Sequence, residues 1–405
     1  MSGTSPRAWF PGLNAVRALG ATCVVGTHVG FQTGRSAYGP FSASIARLDC
    51  GVALFFVLTG FLLFRPYAVV AVTGQGRTPR VGTYLRHRAL RILPAYWLVA
   101  AVCLLLLPPL GNNSVASDVL HHLTLTQIYD LGIQHTGLTQ AWSLCVEVAF
   151  YLVLPLLARV VLVRGGNRLA WFLLAVVALA GAAWNPYLNA TGALDVRIAG
   201  QWLPGFLDWF VAGMALALAQ VRLTSDLTPA PWLLRLQELA RTPATCWVSA
   251  VAVFAIATSP IAGPTTIRAV LDVPTTSSVL LKNLLYLLIA VLVVLPLALG
   301  RQDEGRARAL LATRPVQLLG EVSYGIFLWH LAVLEAVVRL TRTPLFTGSW
   351  LVVFALTWGL TVPVAWLSYR YLERPLMSWH PRAVSVPRPR ASTDQTSASP
   401  VRQSA

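Results

Sequence analysis

Arg17 and His28 stand eleven positions apart inside the first apolar run of this 405-residue chain, in FPGLNAVRALGATCVVGTH. At 100° per residue that spacing is within about 20° of three full turns, so a helix puts both on one face, about 16 Å apart along its axis. One stripe then presents a cation near one mouth and a titratable imidazole deep inside. A guanidinium there holds an anion, and an imidazole takes a proton from a hydroxyl. The plainer alternative is an arginine snorkelling to headgroups and a hydrogen-bonded packing histidine. Glu147, in AWSLCVEVAFY, falls in another apolar run at about the depth of His28. A carboxylate beside an imidazole orients its tautomer and stabilises the imidazolium in general-base catalysis on a hydroxyl, although the same two groups also make an inert polar pair.

His330, in SYGIFLWH, is a third polar group within reach of that interior, with aromatic neighbours that equally suit an interface belt. In YLRHRALRILPAYW, Arg88 and Arg91 are three apart and share a helix face where a loop enters the third apolar run. Such a pair suits bidentate contacts to phosphate oxygens, and the positive-inside rule would place arginines there as well. His121 and His122 lie in a polar stretch and read as surface residues, while Asp208 and Glu321 have no partner that the sequence names. Cys23, Cys50, Cys103, Cys145 and Cys246 form no CxxC pair and no His/Cys ligand spacing, so neither a disulfide framework nor a metal site is expected.

The elements that position these groups must sit in lipid. A composition of 56% hydrophobic and 11% charged residues leaves more apolar surface than a water-soluble domain can hide. The formal charge of +16 does not point to nucleic acid, because the arginines separate apolar runs instead of clustering on one face among aromatics. Runs at about 10–31, 50–72, 92–110, 140–163, 169–188, 200–220, 244–261, 279–300, 316–338 and 350–370 predict an all-α integral membrane bundle of about ten transmembrane helices. Arginines fill alternate connections: 73–91, then Arg159, Arg164 and Arg168, then Arg222, Arg235 and Arg241, then Arg301, Arg306, Arg308 and Arg314. These belong on the cytoplasmic side, which puts both termini in the cytoplasm.

Residues 111–139 hold no Lys or Arg, and Ser117-Asp118 ahead of Val119, Leu120 and Leu123 predicts a short capped helix at the outer surface, roofing a site. Residues 1–376 form the transmembrane domain, and the Pro/Ser/Thr-rich stretch 377–405 reads as a disordered cytoplasmic tail. The first run holds Arg17 and lacks a small-residue cleavage signature, so it is expected to be a permanent helix. Residues alone leave a proton-coupled transporter or flippase open, since intramembrane Arg, His and Glu mark those too; no paired broken repeats support it.

The ordered motifs resemble the membrane-bound acyltransferase family 3 from about residue 10 to 376. FPGLNAVRALGATCVVGTH is similar to its first-helix signature at Arg17 and His28, GVALFFVLTGFL to its second-helix block, and RHRALRILPAYW to its arginine-pair block. WSLCVEVAFY resembles the Trp-Ser-Leu block with Glu147, and LGEVSYGIFLWH and SYRYLERP the closing blocks with His330 and Glu373. Ala53 stands where that family often has an acid, Thr59 where serine is usual, and Val148 where a second glutamate commonly follows. The resemblance implies a bacterial cell-membrane enzyme that moves acetyl or another short acyl group to hydroxyls of polysaccharides, glycolipids, peptidoglycan or macrolides. Acyl-CoA is then the donor substrate, with no permanently bound cofactor. For such a reaction the residues read above are expected to act together: Arg88, Arg91 and Arg17 hold coenzyme A, His28 is the base with Glu147 orienting it, and His330, Trp142 and Tyr324 contact substrate.

Overall fold

The computed structural model describes residues 10–110, 114–130, 134–162, 167–225, 228–263, 275–300 and 306–378. Of the tail expected at 377–405, Met377 and Ser378 close a short helix (Arg374–Ser378), and the rest lies outside the described residues. Helices run through α1 (Pro11–Gln32), α2 (Gly51–Thr73), α3 (Val81–Leu106), α4 (Val115–Thr124), α5 (Trp142–Val161), α6 (Asn167–Thr191) and α7 (Leu207–Thr224). They continue as α8 (Pro231–Ala240), α9 (Pro243–Ala257), α10 (Thr276–Leu299), α11 (Arg314–Glu321), α12 (Ser323–Thr341) and α13 (Trp350–Ser368). Among the described residues the one β feature is an isolated antiparallel bridge between Pro109 and His135.

Eight helices are long and apolar enough to cross a membrane, and the α8–α9 pair, bent by 84°, makes up to nine. The tenth expected crossing, α1, has 22 residues, about 33 Å at 1.5 Å per residue. Large apolar side chains stand bare on the outside of the bundle: Leu105 is 82% exposed and Val248 70%. Water would penalise such a surface and hydrocarbon does not. The chain is a multi-pass membrane protein.

Two expected boundaries move. The third run was placed at 92–110, but α3 begins at Val81, so Arg88 and Arg91 lie within the helix instead of where a loop enters it. Their polar side chains hid the helix from a hydropathy reading. The run at 316–338 is divided at Val322 into α11 and α12. The surface helix exists as α4, but its cap is Ser114, which accepts from the Ser117 amide at 3.3 Å, and not Ser117-Asp118.

The tightest packing in the bundle is α2 against α7. A Cβ added to Gly60 would collide with the Phe210 carbonyl, and one added to Gly213 would collide with that of Val57. Two glycines thus let the helix backbones touch, as small residues do in membrane bundles. Residues of α2 from Val52 to Leu63 face the interior space that the polar side chains line.

Candidate active site

Two cavities lie in the interior, toward opposite ends of the bundle. The one at the arginine-rich end has a volume of about 470 Å³ and is lined by Arg17 from α1, Arg88 and Arg91 from α3, Glu147 and Tyr151 from α5, and Tyr324 from α12. Three guanidinium groups against one carboxylate leave room for an anion. Arg88 Nε is buried with no hydrogen-bond partner, a cost that a bound phosphate oxygen would remove. Glu147 Oε1 accepts from Thr59 Oγ1 at 2.8 Å and from Tyr151 OH at 2.6 Å. Tyr324 OH donates to the Ile92 carbonyl at 2.9 Å, tying α12 to α3 across the cavity.

The second cavity, about 1080 Å³, lies at the other end and is lined by His28, Trp142, Asp49, Lys282 and Tyr286, with His122 and His135 from the roof. Trp142, Phe206 and Trp209 form a continuous aromatic wall with ring centroids 5.3 and 5.2 Å apart. Around it stand the amides of Gln127, Gln134, Asn185, Gln201 and Asn283 and the hydroxyls of Thr139 and Ser278. Flat rings for the C–H face of a sugar and many amides and hydroxyls for its oxygens make a lining suited to a polyhydroxylated ligand.

His28 is backed by His330, with ring centroids 5.1 Å apart. His330 is fully buried, and its Nδ1 faces the carbonyls of Phe327 at 2.7 Å and Ile326 at 3.3 Å. Carbonyls only accept, so the proton sits on Nδ1 and leaves Nε2 a lone pair. That Nε2 is buried without a partner, beside the His28 ring.

The structure separates the two groups that the sequence paired. Glu147 lines the arginine cavity and its Oε1 is taken by Thr59 and Tyr151, while His28 lines the other cavity. Depth along a helix is readable from sequence, but the face from which a side chain leaves depends on how the helix packs, and Glu147 points toward the arginines. The neighbour of His28 is His330 instead. Arg17, Arg88 and Arg91 are brought together as expected, and Trp142 and Tyr324 line one cavity each.

The surface reading of His122 also gives way. It is 1% exposed; its Nδ1 lies 2.8 Å from the Asp118 carbonyl oxygen and 3.1 Å from the Asp118 carboxylate, whose other oxygen is 3.8 Å from His135 Nε2. Burial pushes the His122 imidazole below its usual value. This clamp pins α4 to the segment that bridges Pro109, so it fastens the roof. His121 is half-buried, with its Nδ1 3.0 Å from Thr126 Oγ1. Asp208 is buried with Oδ1 unpartnered, and Glu321 is exposed at the end of α11.

Sequence reasoning missed Asp49, which accepts from Lys282 Nζ at 2.7 Å and makes a short hydrogen bond with Tyr286 OH. The signal was present: Lys282 and Tyr286 are four apart in an apolar run, hence on one face. Arg47 was missed as well. It donates to the carbonyls of Ala257, Ala262 and Gly263 at 2.8–2.9 Å and so latches the α9 end to the cavity rim. Among the described residues no group of three or more His, Cys, Asp or Glu side chains is placed to hold a metal ion.

The chain is similar to known proteins along most of its length. The family model described as an acyltransferase domain matches residues 10–370. A peptidoglycan O-acetyltransferase, OatA, of Listeria monocytogenes is 22% identical over 405 aligned residues, covering 91% of this chain and 56% of the relative. A putative peptidoglycan O-acetyltransferase, YrhL, of Bacillus subtilis is 24% identical over 395, covering 92% and 56%. Nodulation protein 10 of Rhizobium leguminosarum bv. viciae is 26% identical over 188, covering 39% and 48%. This chain thus spans about half the length of the curated relatives it matches. No solved structure matches. The sequence motifs, the helical bundle and the match across residues 10–370 agree, and the chain belongs to the membrane-bound acyltransferase family 3.

Proposed function

We propose that the protein is an O-acyltransferase that takes acetyl or another short acyl group from acyl-CoA and delivers it to a hydroxyl of a cell-envelope glycan or glycolipid. The observation that carries this reading is the pair of cavities, one lined by Arg17, Arg88 and Arg91 and the other by His28 and an aromatic, amide-rich wall, with Val52 lining both. The relatives named for peptidoglycan O-acetylation support a glycan acceptor and an acetyl donor. In this reading both termini are cytoplasmic, the arginine cavity opens to the cytoplasm of a bacterial cell, and the larger cavity faces outward, because the arginine-bearing connections mark the inner side.

Arg88 and Arg91 grip the phosphates of coenzyme A, and Arg17, farther along the same cavity, draws the rest of the anionic donor inward. Glu147 holds Tyr151 and Thr59 in place across from the arginines, and its negative charge offsets the mutual repulsion of the three guanidinium groups. In the outer cavity His28 takes the proton from the acceptor hydroxyl. The oxygen attacks the thioester carbonyl, the C–S bond breaks, and the departing sulfur takes the proton back from the imidazolium, giving an ester and free coenzyme A thiol. His330 fixes the ring plane of His28 by packing against it. General-base assistance of this kind contributes about 10²–10⁴-fold.

Purified protein incubated with acetyl-CoA and an N-acetylglucosamine oligomer is expected to release free thiol in step with ester formation on the sugar. Thiol release that does not depend on the protein, or label carried across a membrane with the thioester intact, would sink the transferase reading.

A further inference from the structure

The two cavities have one lining residue in common, Val52, in the first turn of α2. Around it the partition between them is built of rings. Phe56, one turn farther along α2, lines the arginine cavity and meets the edge of Phe206, which lines the other, at 5.7 Å. Phe206 packs on Trp142 at 5.3 Å, and Trp142 and Ser143, adjacent in α5, face one cavity each. Phe56 is 1% exposed and stacks on Phe210 at 4.4 Å, so this wall has little freedom to shift.

We infer that Val52 sets the length of the acyl group the protein transfers. The inference rests on the reading of the two cavities as donor and acceptor sites. A thioester carbonyl gripped from the arginine side meets the acceptor oxygen at the neck marked by Val52, the residue that lines both cavities. The acyl carbons beyond the carbonyl share that neck with the attacking oxygen, and the Val52 isopropyl group occupies the space a longer chain needs. A methyl fits; each further methylene must displace Val52, Phe56 or Trp142. A misfit of one methylene in a tight apolar site is worth about 10–200-fold in rate.

The test compares acetyl-, propionyl- and butyryl-CoA as donors by thiol release and ester formation, for the parent, Val52→Ala and Val52→Ile. The ratio of two donor rates within one preparation does not depend on how much protein has folded. The parent is expected to favour acetyl over butyryl by at least about tenfold. Val52→Ala should raise the butyryl-to-acetyl ratio by about tenfold or more, and Val52→Ile should lower the propionyl-to-acetyl ratio. Ratios that stay within about twofold of the parent in both variants, or a parent that prefers butyryl-CoA, would overturn the role of Val52 while leaving the transferase intact. A parent that uses none of the three donors would remove the acyl-CoA reading and the inference with it.

Discussion

His28→Ala is expected to lower the rate of acyl transfer by about 10²–10⁴-fold while the protein still binds coenzyme A. The two properties separate because His28 lines the cavity opposite the one that holds Arg17, Arg88 and Arg91. Loss of the imidazole leaves the hydroxyl without a base but leaves the phosphate grip untouched. His28 is also only partly buried and faces open cavity volume, so truncation leaves no large void in the packed core. The measurement is turnover at matched membrane abundance, together with coenzyme A binding by calorimetry. Near-parental turnover at equal abundance would make His28 a packing residue.

The Arg88→Gln, Arg91→Gln double variant should raise the KM for acyl-CoA by at least about tenfold and change kcat at saturating donor much less. Each charge-assisted hydrogen bond to phosphate is worth about 1.5–3 kcal/mol, and about 1.4 kcal/mol is a factor of ten. Glutamine removes two cations that lie close together in the cavity, and with them the unpartnered Arg88 Nε, so the fold is expected to tolerate the change. Steady-state kinetics over a donor series reads the effect. An unchanged donor KM in well-inserted protein would reduce the doublet to a topology signal.

The helical bundle was legible because lipid-facing residues such as Leu105 and Val248 make apolar runs that water cannot accommodate. The Arg17–His28 stripe was legible too, since both lie on one helix and its geometry needs no tertiary information. Grouping Glu147 with His28 required the rotation of α5 about its axis, which is decided by contacts such as Tyr151 and Thr59 and not by a local pattern. The start of α3 was hidden because Arg86, Arg88 and Arg91 depress hydropathy in a segment that is helical all the same. His122 was lost for a related reason: Asp118 is one turn back on α4, but the burial of the pair depends on the segment bearing His135, which packs against them only in the folded chain.

The central claim is that an acyl group enters from one end of the bundle and leaves on a hydroxyl at the other. Sealed vesicles carrying the reconstituted protein test it directly, with acetyl-labelled acetyl-CoA and an N-acetylglucosamine oligomer placed on the same face or on opposite faces. The account predicts labelled ester on the sugar when the two are separated by the membrane, with thiol appearing on the donor side, and none beyond leakage when both are on one face. Efficient transfer with donor and acceptor on the same face, and none across the bilayer, would contradict it.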